Sequence, residues 1–344
     1  MKPKVILDSG AYTAHKKGIK IDIDEYAAYV IKNADAYFNY FNLDSIGNDE
    51  ISYRNWKYLR KKGANTIPVY HIGTDEKYLV KYLEETDYIA LGAIANLDTT
   101  QRMLSLSRIW EQYLIDKDGL PKVKVHGLGL TAIPIMMRYP WYSVDSFTPV
   151  ISAVWGSVLL PKLDSEDNPH YFGMFICKIS DQGNHKGGMA NSFPSLPTRT
   201  KRIYYQMFEE YGFILGEIAY QEKRPRRGKK DEIDRKPKPI FDLIRPSDPD
   251  IKTLANSWEE RMRWNLVMWS KLRERLPKYP REFQHNEPTY KERVTSSEKT
   301  LMFMGVSTTT HLDIFGKVEP KLDILISYAY LSDPISKMIK RYVR

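Results

Sequence analysis

The feature that most constrains this chain is a rhythm. Short apolar runs of β character alternate with segments of helical period, and nearly every run ends on Asp, His or Gly. The runs are "KVILDS", "AYFNYFNLDS", "TIPVYHIG", "YIALGAIA", "KVKVHGLGLT" and "YSVDSFTPV", all within the first 155 residues. Between them lie "DEYAAYVIKNA", "SYRNWKYLRKKG", "DEKYLVKYLEET" and "DTTQRMLSLSRIWEQYLIDKDG". Strands alternating with helices in this order build βα units around a mainly parallel sheet. The pattern predicts an α/β fold of the TIM type, a (β/α)8 barrel, with a doubly wound open sheet as the competitor of equal rhythm. Either arrangement gathers the C-terminal strand ends around one cleft. Asp75 and Asp98 read as helix N-caps, and Gly63 and Gly119 as helix ends.

The expected organisation is residues 1–155 as the first six βα units and residues 156–344 as the remaining barrel elements with basic insertions. The second part is less regular. The stretch from Leu160 to Arg202 reads as an elaborated loop around one strand, "YFGMFICKI", and "TKRIYYQMFEEYGFILGEIAYQEK" as one helix. A Pro-rich basic stretch, 224–239, reads as a linker or loop. "TLANSWEERMRWNLVMWSKLRERL" reads as an amphipathic helix with Trp258, Met262, Trp269, Leu272 and Leu276 on a core face and Arg261, Arg273 and Arg275 in solvent. "TLMFMGVSTTT" and "KLDILISYAYLSD" supply two further strands, either of which could close a barrel beside the first.

Composition removes whole classes of chemistry. A single cysteine, Cys177, precludes an internal disulfide and a multi-thiolate zinc site. The seven histidines follow no HExxH spacing, so no metal or cofactor is expected. No apolar run approaches 18 residues and the N-terminus has no signal-peptide pattern, which together predict a soluble cytoplasmic protein with no membrane partner. The net charge is +9, with clusters at "TRTKR", "EKRPRRGKK" and "DRKPKPIF". Such clusters attract polyanions through counterion release, and equally suit a solvated loop.

Three carboxylates, Asp8, Asp44 and Asp145, each close an apolar run and are each followed by Ser. Any one of them reads as a turn or cap residue. At three strand ends of one sheet they would converge, which is costly unless they are paired, hydrogen-bonded or used. Gly92, Gly127 and Gly129 sit where a side chain would block a flat ligand, and Tyr12, Tyr70 and His71 could stack on or bond to a heterocycle. Two carboxylates facing one ligand permit displacement at a sugar carbon, one as nucleophile and the other as acid and then base.

These residues resemble a family. "DSGAY" at 8–12 is similar to the DSGGF/Y motif of the tRNA-guanine transglycosylases, "ALGAIA" to their GGLAVG, and "VHGLG" followed by "SVDSFTPV" to their MGVG followed by DxFDCVxPTR, in the same order across residues 4–155. The resemblance implies a TIM barrel that exchanges guanine in a nucleic acid for a free 7-deazaguanine without breaking the backbone. It assigns Asp145 as the nucleophile that holds a covalent glycosyl intermediate, and Asp8 as the group handling the proton of the departing and incoming bases. It assigns Tyr12 and His126 as stacking faces, and Asp44 as the reader of the base's Watson–Crick edge. Gly92, with Gly127, lies where the backbone contacts the base, and His71 lies near a base-reading glutamine.

The tRNA enzymes carry a CxCxxC-plus-His zinc site that this chain lacks, and "SFTPVISAVWG" follows Asp145 without the Cys-Val-x-Pro-Thr-Arg continuation. Those losses resemble the divergent branch of bacteria and phages that inserts 7-deazaguanines into DNA. DNA is therefore the expected partner, with tRNA as the alternative, in a bacterial cell or phage-infected host. The base would have to be flipped or its strand opened to reach the site, with "HKGGMANSFPSLPTRTKR" as a candidate contact region. A retaining nucleosidase and a non-catalytic nucleic-acid-binding subunit are the competing readings.

Overall fold

The computed structural model describes residues 3–92, 99–180, 191–216, 219–223, 240–244, 250–283, 298–318, 322–328 and 333–343. The stretch 224–239, Asp98, Gly187 and Gly188 lie outside the described residues. The chain divides into two compact units, residues 1–148 with 270–344, and residues 149–269.

The first unit is an α/β fold built on one eight-stranded parallel sheet. Its strands are β1 (Val5–Asp8), β2 (Asn39–Tyr40), β3 (Val69–His71), β4 (Tyr88–Gly92), β5 (Lys124–Gly127), β6 (Ser143–Ser146), β7 (Leu301–Val306) and β8 (Asp323–Ser327). They lie in the order β2-β1-β8-β7-β6-β5-β4-β3. Read as a circle, that order is 1 to 8 with one break, between β2 and β3. Both late strands join the sheet as expected, β8 beside β1 and β7 between β8 and β6. At the break the edges meet through a lone parallel bridge, Phe41 to Ile67, with Ile67 N–H donating to Tyr40 O at 2.7 Å and Asn42 N–H to Ile67 O at 2.8 Å. β2 is only two residues long, so the sheet is curled and TIM-like without a strand ladder closing it.

Alternation along each strand sorts the residues. Side chains two apart share a face, and Ile6, Phe41, Ile67, Val69, Tyr88, Ala90, Leu301 and Phe303 form one buried apolar cluster. One further step along the same faces come Asp8, His71, Gly92 and Gly305, while Asp145 sits in register with Phe303. Polar chemistry thus begins where the apolar interior ends. Gly305 exists for packing, since a Cβ there would lie 2.3 Å from the Phe147 ring.

Helices α1 (Ala11–Lys17), α2 (Ile23–Lys32), α3 (Asp49–Lys61) and α4 (Glu76–Glu85) follow the first three strands. Asp22, Asn48 and Asp75 cap α2, α3 and α4 by accepting backbone N–H groups, an arrangement worth about 1 kcal/mol each. Gly63, at φ +90°, follows the end of α3 as expected. Gly119 differs, because the helix Thr99–Ile109 passes into a π-helical turn ending at Leu114. Gly119 instead serves the next turn, where Asp116 Oδ1 accepts from Asp118 N and Leu120 N.

The second unit corrects several expectations. The segment from Leu160 is half of an antiparallel hairpin, Ser157–Leu163 against Pro169–Lys178, rather than a loop around one strand. Its turn is nucleated by Asp164, whose Oδ1 accepts from Glu166 N and Asn168 N. The helix starting at Thr198 stops at Glu210, where Gly212 takes φ +74°, and Ala219–Lys223 is a strand paired with Ile240–Ile244. On the helix Trp258–Arg273, Arg261 is buried, donating to the carbonyls of Ala153, Leu254 and Ala255. A guanidinium can be buried when each donor finds an oxygen, and this one fastens helix to loop instead of facing solvent. In the first unit Arg273 pairs with the buried Asp323 at 3.0 Å.

Candidate active site

β1 delivers Asp8 to the sheet's C-terminal edge, and Gly10 turns the chain there with φ 80° to start α1. The Gly10 N–H reaches back to Asp8 Oδ2 at 3.2 Å. Asp8 keeps some solvent contact yet is surrounded by protein, and its carboxyl is pushed up from 3.8 to about 7. Burial is the largest cause, and the charges of Asp44 and Asp145 add to it. The three strand-end carboxylates expected to converge therefore do so electrostatically. A carboxyl in this setting holds its proton to neutral pH and can give it up there.

Asp44 lies in the loop after β2, which α3 pins through Asn42 Nδ2 to Ser52 O, Ser45 N to Ser52 Oγ and Asn55 Nδ2 to Leu43 O. Ser9 Oγ donates to Asp44 Oδ1 at 3.3 Å, and His71 Nε2 lies 3.1 Å from Oδ2. The other imidazole nitrogen, Nδ1, faces Asp49 Oδ1 at 3.6 Å, an ion-pair distance. Both Asp49 oxygens are buried without a hydrogen-bond partner among the described residues. Burial acts to lower the His71 pKa, but the Asp44 hydrogen bond and charge, with Asp49 behind, outweigh it and the net direction is up. The group is a buried carboxylate–imidazole–carboxylate row whose two acids favour the protonated ring. Gly92 belongs to it sterically, since a Cβ there would lie 2.9 Å from His71 Cδ2. The glycine expected to admit a flat ligand admits an imidazole.

Asp145 is held by one oxygen. Its Oδ1 accepts from Gly129 N–H at 2.7 Å and from His126 Nε2 at 3.1 Å, and Oδ2 has no hydrogen-bond partner among the described residues. Gly129 can present its N–H because it takes φ +62°. His126 is fully buried between the rings of Phe41 and Phe303, at 4.8 and 6.1 Å. The expected stacking face at His126 is thus covered by protein, and the imidazole bonds to the carboxylate instead. Gly127 is a packing glycine, where a Cβ would meet Leu130 at 3.0 Å and Trp141 at 3.2 Å.

Tyr12 is half exposed on the first turn of α1, with Lys16 Nζ over one face of its ring, 4.6 Å from the centre. Tyr70 is buried on the opposite side of β3 from His71 and donates to Thr74 O. Two surface concavities of about 480 and 290 Å³ are lined by Trp56, Arg60, Asp87 and Val123 and by Val80, Tyr113 and Val123. They lie toward the N-terminal strand ends and include none of the three carboxylates, a face that serves stability in folds of this type.

Sequence reasoning missed Asp49, Ser143 and Tyr88. Asp49 looked like an ordinary acid of a first helical turn. Ser143 carried a usable signal, standing two residues before Asp145 and hence on its face.

The arrangement separates two carboxylates by environment. One holds a proton near neutrality and the other is bonded through one oxygen with the second oxygen open, the division that acid–nucleophile pairs use. Among the described residues no group of three or more His, Cys, Asp or Glu could hold a metal ion, and no helix is long and apolar enough to cross a membrane. Compared with protein-family models, curated proteins and solved structures, the chain finds no match in any of the three.

Proposed function

We propose that this chain is a base-exchanging transglycosylase that replaces guanine in DNA with a free 7-deazaguanine, such as its 7-cyano form, on a complete (β/α)8 barrel. The observation that carries the reading is the Asp8 carboxyl, raised to about 7 by burial and by the charges of Asp44 and Asp145. A proton-handling group, an edge-reading group and a singly held carboxylate then share one sheet end.

In this reading Asp145 Oδ2 attacks C1′ of the target nucleotide. A C–O bond forms, the C1′–N9 bond breaks, and its electron pair leaves with guanine. Asp8 gives its proton to the departing base and becomes a carboxylate. The incoming 7-deazaguanine surrenders its N9 proton to Asp8, N9 attacks C1′, and Asp145 is released. Splitting one displacement into two preserves configuration and leaves the backbone intact. Asp44, fixed by Ser9 and His71, offers acceptor lone pairs to the N–H groups of a guanine-type edge. Tyr12 supplies a stacking face. The net charge of +9 suits a nucleic-acid partner, and the missing cysteine-rich zinc segment favours DNA over tRNA.

The test is incubation with labelled guanine or 7-cyano-7-deazaguanine and, separately, DNA and tRNA. Label entering DNA is expected, and label entering tRNA alone reverses the substrate assignment. Free base accumulating without incorporation makes the chain a retaining nucleosidase. If Asp145→Asn and Asp8→Asn leave binding and modification unchanged, the catalytic roles fall and a non-catalytic binding subunit is the better reading.

A further inference from the structure

We propose that His126 is a positioning residue for Asp145, held electrically neutral by a one-way hydrogen-bond chain that runs Tyr88 to Ser143 to His126 to Asp145. The consequence for catalysis rests on the transglycosylase reading, whereas the proton order follows from the geometry.

Tyr88 Oη lies 2.7 Å from Ser143 Oγ, Ser143 Oγ 2.7 Å from His126 Nδ1, and His126 Nε2 3.1 Å from Asp145 Oδ1. β5 and β6 set His126 beside Ser143 in register, and Asp145 follows two residues on, on the same face. Tyr88, Ser143 and His126 are all buried. Asp145 Oδ1 already accepts from Gly129 N–H, so it is an acceptor and His126 Nε2 carries a proton.

Two states remain. With a neutral imidazole, Nδ1 accepts from Ser143 O–H and Ser143 Oγ accepts from Tyr88 O–H, and every donor is used. With an imidazolium, Nδ1–H donates to Ser143, and the Ser143 and Tyr88 hydroxyls are left one contact between them. One of the two then has no acceptor among the described residues. An orphaned buried hydroxyl is disfavoured, and burial pushes the Tyr88 phenol far above its ordinary value, so it stays a donor. The chain therefore selects the neutral Nε2–H imidazole. That matters for a nucleophile, because an imidazolium on Asp145 would neutralise the charge that attacks C1′. A neutral N–H donor fixes Oδ1 and leaves the charge in place, with Oδ2 open.

The test begins with ¹⁵N NMR of the imidazoles in the full chain at neutral pH, without substrate, the His126 signals being assigned through His126→Gln. The neutral pattern with the proton on Nε2 is expected. Ser143→Ala removes the hydroxyl that donates to Nδ1 and with it the bias, so His126 should shift toward the imidazolium pattern. The rate of covalent intermediate formation on guanine-containing DNA should then fall about ten- to hundredfold, with the Kd for 7-cyano-7-deazaguanine unchanged. Tyr88→Phe leaves Ser143 O–H donating to Nδ1 and should keep the neutral pattern, and Ser143→Cys, a weaker donor, serves as the second variant if Ser143→Ala does not fold. A proton on Nδ1 in the wild type, or Ser143→Ala leaving pattern and rate unchanged, overturns the proposal. The neutral Nε2–H pattern in a protein with no exchange activity supports the proton order and overturns the transglycosylase reading alone.

Discussion

Replacing Asp8 with Asn should make this protein more stable at alkaline pH while abolishing base exchange. The Asp8 carboxyl rises from 3.8 to about 7 on folding, so the folded state binds its proton more tightly than the unfolded state. The sign follows from linkage: the folded state's advantage is complete below 3.8 and is lost as pH climbs through about 7. At about 1.4 kcal/mol per pH unit, ionising Asp8 in place costs up to about 4 kcal/mol, and its residual solvent contact reduces this to roughly 2–4 kcal/mol. Asn keeps the shape and never ionises, so the variant should gain that amount near pH 8 and almost nothing near pH 4. The assay is thermal or urea unfolding of both proteins across this range, where roughly 2–4 °C of Tm accompanies each kcal/mol. A variant no more stable than the parent at high pH, or a gain independent of pH, would refute the account of three crowded carboxylates. Stability gained where activity is lost is the mark of a strained functional group.

Other outcomes follow from the same geometry. Asp49→Asn removes one of the two carboxylates facing His71, whose raised pKa gives stability that is full below 6.5 and lost as pH rises through the folded value. The variant should flatten that slope in a pH series of unfolding midpoints and weaken base binding in calorimetry. Gly92→Ala places a methyl 2.9 Å from His71 Cδ2 and should cost about 1–3 kcal/mol by unfolding while shifting the His71 NMR signals. Asn265→Leu strips Leu159 N and Pro149 O of their partners inside the second unit, and should cost roughly 2–4 kcal/mol with little effect on the Asp8 pH dependence.

Period-two alternation and strand-end chemistry made much of the first unit legible. "KVILDS" and "TIPVYHIG" announce a strand and the polar residue that ends it, and both lie where that reading puts them. β2 was harder, because "AYFNYFNLDS" is β-like throughout while only Asn39–Tyr40 pairs as a strand. The rest of that run is consumed by Asn42 and Leu43 bonding to α3, a tertiary choice without a local signature. The second unit failed for a related reason. Arg261 looks solvated on any helical wheel, and its burial rests on partners far from it in sequence or beyond its helix, among them the carbonyls of Ala153, Leu254 and Ala255.

The glycines and His126 show where motif reasoning loses its physics. A motif says that a side chain is small at Gly92 and stacks at His126, and invites a ligand into both. Smallness at Gly92 makes room for His71, and the ring at His126 lies between Phe41 and Phe303 with both nitrogens bonded. Neither residue needs to meet substrate to matter, because each sets the position of a carboxylate that does in the proposed reaction: Asp44 through His71, and Asp145 directly. A sequence position inherits a contact from its neighbours in space. Where those neighbours change, as with a histidine and Ser143 side by side on β5 and β6, the same strand end can keep its carboxylate and support it by a different network. Asp145→Asn and Ser143→Ala separate the two levels: the first removes the proposed nucleophile, and the second leaves every atom of Asp145 in place while altering the protonation of the ring that holds it.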